Sequence, residues 1–471
     1  MKVKSNFSEN SINNFKKENT TIMYMQEIVI GRKKSDIEKY GKRGTVFIGK
    51  QYIRMGQTVT TTGEIYLDVS GAHVIFICGK RGGGKSYTMG AIAEGMHELE
   101  EDVRQNLAFI LLDTMGIYWT MKYPNHADEE LLKKWGLEGK GIDIKIYTPF
   151  GWYKKFKERG LPTDFPFSLK PSELTSEDWC MTFKISPTSP MGILIDEVIQ
   201  DFKDKNEDYS IEEFVDAVMK VEDANDETKA AVKNLFRSTR QWGLFDKRGT
   251  PLKEIAVSGQ ISVLDVSCYA FMPNGWAVKA LVVGIVSQKL FIERMKQRKE
   301  EEFTSVDSAE HYFTTESTTK QDFPLVWLVI DEAHEFLPKN VEDTNPATMP
   351  LVTIMREGRQ PGISLILATQ QPGKIHTDVL TQSDTVLSHR ITARLDVEAL
   401  GMLTQSYMKE GLTDAIDHLP RENGAAVLFD DANERIYPIR IRPRFTWHGG
   451  SSPIAVKAKK EFSLDIKRMT K

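Results

Sequence analysis

At 471 residues the chain has room for one large domain or two to three ordinary ones, and 40% hydrophobic with 27% charged residues is the balance of a globular protein with a sizeable core. Its 62 Lys and Arg against 66 Asp and Glu leave a formal charge of −4, so the overall field is weakly repulsive to nucleic acid and any such contact needs a local basic surface such as a pore lining. Cys78, Cys180 and Cys268 lie far apart, which excludes a disulfide framework or a CxxC metal site and makes them small buried hydrophobes.

No apolar run approaches the roughly 18 residues that cross a membrane. The first 30 residues also lack the apolar block of a signal peptide, so a cytoplasmic protein with no membrane partner is expected. Residues 1–22, rich in Asn, Ser, Lys and Glu, read as a flexible arm. Residues 23–70 read as a small β module with strands at 27–31, 44–49 and 64–69, separated by Gly- and Thr-rich turns.

Five apolar residues, Val74 to Cys78, then form a buried-strand pattern that runs into Gly79, Lys80, Arg81, Gly82, Gly83, Gly84, Lys85 and Ser86. These eight fit GxxxxGK[ST] at every fixed position, which is a P-loop on a strand. Successive backbone N–H groups wrap a polyphosphate closely, which favours glycine at Gly79, Gly82, Gly83 and Gly84. Lys85 reaches the β- and γ-phosphates and the Ser86 hydroxyl ligates Mg²⁺. Tyr87 then opens a helix over 87–99 whose N-terminus faces the phosphates. A Gly-rich turn that binds nothing is the alternative.

A second apolar run over 107–112 ends at Asp113, which is read either as a nucleotide or Mg²⁺-water contact or as a turn cap. A short strand follows at 143–147. Residues 171–250 lose strand character and read as a helical insertion, with Arg237 and Arg240 on one helical face, either solvated or against DNA or another subunit. A strand returns at 261–266, a long helix covers 277–301, and 303–322 reads as an exposed loop.

The run from Leu325 to Ile330 ends in Asp331 and Glu332, the Walker B arrangement: Asp331 holds Mg²⁺ and Glu332 orients and polarises the attacking water. A further strand over 363–369 ends at Gln370 and Gln371, either of which is the candidate γ-phosphate sensor. Arg356 and Arg359 end a helix that reaches the surface, where either serves as an arginine finger for a neighbouring subunit or as a partner of the helix dipole.

The segments GKRGGGKSYT, LVIDEAHEFLP, MREGRQPGISLILATQQP and DVLTQSDTVLSHRIT together resemble the HerA branch of the HerA/FtsK family, over roughly residues 70 to 445. The resemblance implies an α/β, RecA-like P-loop NTPase core with a mainly parallel sheet, built from residues 71–170 and 251–444. It also implies ATP and Mg²⁺ as cofactors, a homohexameric ring, double-stranded DNA through the central pore, and a partner nuclease or other effector acting in DNA end processing or antiphage defence. An ATP-binding ring that chiefly scaffolds its partner is the alternative. By the same likeness Lys85, Ser86, Asp331, Glu332 and Gln370 take the roles above, and the Arg356–Arg359 segment supplies the trans-acting arginine. Only about 70 residues precede the P-loop, so the family's N-terminal barrel is expected in reduced form. Residues 445–471 read as a basic tail, disordered or lying across the next subunit.

Overall fold

Strands that are apolar at every position bury both faces, and the continuous runs of this sequence do so. In the computed structural model, which describes residues 27–55, 58–310, 323–401, 414–416 and 418–450, β1 (Ile28–Ile30), β2 (Thr45–Met55) and β3 (Thr58–Asp68) precede β4 (Val74–Cys78). They are followed by β5 (Leu107–Asp113), β6 (Ile144–Pro149), β7 (Phe165–Phe167), β8 (Ile261–Asp265), β9 (Leu325–Ile330), β10 (Ile363–Thr369), β11 (Thr385–His389), β12 (Ala425–Asp430) and β13 (Arg435–Ile441). All belong to one sheet of order β1-β3-β2-β13-β12-β11-β4-β10-β9-β5-β8-β6-β7. From β11 to β7 every pairing is parallel, which is the RecA-like core.

Helices cover both faces. Along β4, Phe76 and Cys78 face one core while Ile75 and Ile77 face the other. The second core is closed by α1 (Lys85–His97) through Met89, Ile92 and Met96. The first is closed by the insertion, α2 (Ser176–Phe183), α3 (Pro190–Asp204), α4 (Ile211–Lys220) and α5 (Asp226–Ser238), and by α6 (Gly275–Glu310) and α7 (Thr348–Glu357). Local chemistry starts the insertion helices where the sequence places them. Thr175 and Ser210 form capping boxes with Asp178 and Glu213, and Ser189 and Asn225 cap the other two. Trp179, Phe214 and Phe236 stack at their centre, with ring centroids 4.0 Å apart for Phe214 and Phe236.

Several boundaries differ from expectation. The Thr-rich stretch expected as a turn is the first half of β3, because β-branched residues suit a strand and β2 supplies eleven residues to pair with. The N-terminal strands do not stand apart from the core sheet, since β2 pairs antiparallel with β13 at Gly49, Lys50 and Gln51. The loop expected from 303 begins as helix: α6 runs to Glu310, and the Thr304 and Ser305 hydroxyls in its extension donate back to the Glu300 and Glu301 carbonyls. The rest of that loop, the flexible arm and residues 451–471 of the tail lie outside the described residues. The expectation that no segment is long and apolar enough to cross a membrane also fails for α6, by length and composition; 72% of its apolar window is buried inside the fold.

The expected tail starts too early. Residues 442–450 cross α1 and are fastened there by Glu94, whose side chain is fully buried. Glu94 accepts from Arg442 at 2.7 Å and Arg444 at 3.3 Å, and from the backbone N–H groups of Phe445 and Thr446. Two helix glycines make room on either side. A Cβ at Gly90 would stand 2.5 Å from the Arg444 guanidinium, and one at Gly95 would stand 2.0 Å from Val46 of β2. Close packing thus explains why α1 tolerates two interior glycines that each cost about 1 kcal/mol of helix propensity.

At the amino end of β4, His73 is buried between Asp384, 3.0 Å away, and Asp68, 3.6 Å away, with Arg32 on the far side of Asp68 at 2.7 Å. Burial alone would push the His73 pKa down, but the hydrogen bond to Asp384 and the nearby Asp68 carboxylate raise it to about 9. Burial would raise the Asp68 carboxyl, yet His73, Arg32 and the Ser70 hydroxyl hold it well below the usual carboxylate range. Because the folded histidine has the higher pKa, its contribution is complete below the unfolded value near 6.5 and is lost as pH rises through about 9. The loss is roughly 3 kcal/mol. Urea midpoints measured from pH 6 to 10 are expected to fall across that window in the wild type and to lose that slope in His73→Gln; equal slopes would exclude the assignment.

Candidate nucleotide-binding site

Between β4 and α1 the chain turns through Gly82 at φ 73° and Gly84 at φ 110°, conformations that favour glycine. Gly79 is required for a different reason: a Cβ there would sit 2.6 Å from the His389 Cβ. At Gly83 a Cβ would meet the Lys80 carbonyl at 2.9 Å. The N-cap of α1 is Gly84, so no side chain caps its first N–H groups, and they stay available to an anion.

Lys85 is buried and its Nζ donates to the carbonyls of Gly79 (3.2 Å) and Lys80 (3.3 Å). The Ser86 hydroxyl donates to Asp331 Oδ2 at 2.7 Å, while Asp331 Oδ1 accepts the Glu332 N–H at 2.8 Å. Two hard oxygen donors, one a buried carboxylate with no ion-pair partner among the described residues, fit Mg²⁺. Burial raises the Asp331 carboxyl above its ordinary value, as expected of a group whose counter-charge is a cation. Glu332 has a left-handed backbone at φ 53°, and its pKa is pushed up to about 7, first by burial and then by Asp331. Its Oε2 is buried with no hydrogen-bond partner among the described residues.

Strand order explains how these parts meet. β10 lies between β4 and β9, so its carboxyl end faces the P-loop on one side and Asp331 and Glu332 on the other. Gln370 is half-buried there and its backbone N–H points to the Glu332 carboxylate. Gln371 is committed to His334, 3.1 Å from its Nε2. The Tyr87 hydroxyl accepts the Arg444 N–H at 2.6 Å and its ring meets His448 edge-on at 5.2 Å, on the wall of the cavity beside the loop. Tyr87, Trp135, Arg390, Pro443 and His448 help line a cavity of about 560 Å³ that opens onto the residues from Gly82 to Thr88.

Asp113 is a correction. Its two oxygens accept four backbone N–H groups, from Met115, Gly116, Ile117 and Tyr118, at 2.7 to 3.2 Å. With both oxygens spent on its own loop, Asp113 is the turn cap and not a nucleotide contact. Burial and the neighbouring Asp265 raise its pKa. Arg356 and Arg359 are not brought to Lys85. They precede β10, towards the amino ends of the parallel strands, whereas the P-loop follows the carboxyl end of β4; Arg356 pairs with Asp378 at 2.6 Å and Arg359 is exposed without an ion-pair partner among the described residues.

The sequence model described as "Helicase HerA, central domain" matches residues 53–270, and that of the zonular occludens toxin (Zot) matches 282–418. The DNA double-strand break repair helicase HerA of Pyrococcus furiosus is 27% identical over 191 residues, 39% of this chain and 33% of that protein. A HerA relative in Methanocaldococcus jannaschii is 42% identical over 66 residues, 14% of this chain and 13% of that one. The match thus spans about a third of the first relative's length or less. Over residues 53–270 the chain is similar to the central domain of the HerA helicases. Its fold is that of VirB4 from Thermoanaerobacter pseudethanolicus, with a TM-score of 0.51 at 14% identity, covering 86% of this chain and 97% of that one.

Two histidines of this HerA-like chain went unassigned from sequence although both lie in the segments that carry the likeness. His389 is fully buried under the P-loop, where Thr88 Oγ1 lies 2.8 Å from its Nε2 and the Ala425 carbonyl 3.2 Å from its Nδ1. Burial pushes its pKa down to about 4, so it is a neutral support for the loop. The signal that finds it is the glycine at position 79, which leaves space only for a neighbour. His334 sits beside Glu332 and is taken up below.

Proposed function

We propose that this chain hydrolyses ATP and uses the energy to move along double-stranded DNA, as a ring of six identical subunits that works with a nuclease or other effector. The observation that carries the reading is the Ser86–Asp331 hydrogen bond of 2.7 Å, which joins the phosphate loop to the Walker B strand with Glu332 alongside. Lys85 and the N–H groups of the loop bind and orient the β- and γ-phosphates; Glu332 orients the attacking water and takes up its proton. Ser86 and Asp331 would hold Mg²⁺, which would neutralise the charge that develops on the phosphate oxygens.

Arg356 and Arg359 lie towards the amino ends of the strands, away from Lys85 of the same chain, which favours their action on a neighbour's nucleotide. A site divided between subunits makes the ring part of the catalytic mechanism. With a formal charge of −4, the DNA contact has to be a local basic surface, so stimulation by DNA should weaken steeply with salt. The test is ATP turnover of the purified protein with and without long duplex DNA, alongside its mass by light scattering. A hexamer stimulated by DNA is expected, with Lys85→Ala abolishing turnover; a monomer unaffected by DNA would overturn the reading.

A further inference from the structure

Glu332 and the end of β10 are joined by a side chain that hydrolysis as described above does not use. His334 lies in the 3-10 turn Ala333–Glu335 and is 11% exposed. Its Nε2 is 3.1 Å from Gln371 Nε2, its Nδ1 is 3.0 Å from Thr369 Oγ1, and the same Nδ1 is 3.6 Å from Glu332 Oε2. An amide NH₂ only donates, so Nε2 of the ring accepts and the ring carries its proton on Nδ1. Burial, then Lys374 and Lys85, hold His334 down to about 4, which keeps the ring neutral.

The Nδ1–H therefore faces two acceptors. Thr369 Oγ1 is one, and it is itself fixed by the Gln371 N–H at 3.0 Å. The other is Glu332 Oε2, the buried oxygen that no hydrogen bond satisfies. A buried oxygen left unpaired is costly, and the Nδ1–H at 3.6 Å is the donor placed nearest to satisfy it among the described residues. The left-handed backbone of Glu332, at φ 53°, is a strained conformation that the surroundings must hold.

We propose that His334 is a positioning residue for Glu332: its Nδ1–H, shared with Thr369, ties the carboxylate to the end of β10 and so couples the residues that meet the γ-phosphate to the group that orients water. The proposal rests on the hydrolytic reading given above. Gln371 sets the tautomer, Thr369 sets the ring's tilt, and His334 passes both to Glu332.

The test compares wild type, His334→Ala, His334→Gln and Gln371→Leu in turnover, in affinity for ATPγS, and in affinity for ADP with aluminium fluoride, which mimics the transferring phosphoryl group. His334→Ala is expected to lower kcat about tenfold or more with KM and ATPγS affinity unchanged, and to weaken the aluminium fluoride complex by a similar factor. His334→Gln, which keeps a donor, should recover part of the loss, and Gln371→Leu should show a smaller loss of the same kind. Should His334→Ala fail to fold, the other two variants carry the same comparison. Unchanged kcat, or a loss shared equally by ATPγS affinity, would overturn the proposal. Wild-type turnover separates the two ideas: a wild type without turnover overturns the hydrolytic reading and this proposal with it, whereas a hydrolysing wild type matched by the variants overturns the proposal alone.

Discussion

Glu332→Gln should lower ATP turnover by about a hundredfold to ten-thousandfold, the usual contribution of a positioned proton acceptor, while ATP still binds. Glutamine keeps the shape of the side chain but cannot take a proton from water. Nothing in phosphate binding is touched, because Lys85 and the loop glycines lie on β4 and α1 whereas Glu332 follows β9, with β10 between them. Asp331 keeps the Ser86 hydroxyl at 2.7 Å in the variant, so the metal ligands are retained as well. Single-turnover hydrolysis and binding of a fluorescent ATP analogue measure the two effects separately. A variant that hydrolyses at the wild-type rate would remove Glu332 from the chemistry.

Glu94→Ala should destabilise the protein by about 3 to 5 kcal/mol, the range found when one partner of a buried ion pair is removed. The variant leaves Arg442 and Arg444 buried without a counter-charge, and it strands the N–H groups of Phe445 and Thr446. Neither guanidinium can shed its proton to escape the cost. Glu94→Gln keeps one acceptor and should lose less. Because the 442–450 segment also walls the cavity beside the P-loop through Pro443 and His448, ATP affinity should fall with stability. Urea unfolding followed by binding at low denaturant checks both, and a loss below about 1 kcal/mol would show that the network contributes little.

Both predictions concern residues that the sequence reveals unequally. Glu332 was legible because an apolar strand ending in Asp-Glu means little else once a P-loop precedes it, and β4 and β10 were found to the residue because strands buried on both faces are apolar throughout. Glu94 was not legible. It reads as an ordinary helix glutamate, and its role appears only when residues far along the chain return to α1. Asp113 shows the same limit at short range: its two roles differ only in whether residues 115–118 curl back on it, and nothing in their composition decides that. The extent of β2 and β3 depended likewise on pairing.

The two glycines of α1 carry one more consequence. Val46, near the chain's entry into the sheet, and Arg444, near its exit, rest on Gly95 and Gly90 of the helix whose first turn faces the phosphates. These seats are five residues apart, about 7.5 Å along the axis. Any turn of α1 about that axis as nucleotide is gained or lost would therefore act like a crank with two rods on opposite sides, driving the N-terminal hairpin and the C-terminal strap at once and in opposed directions.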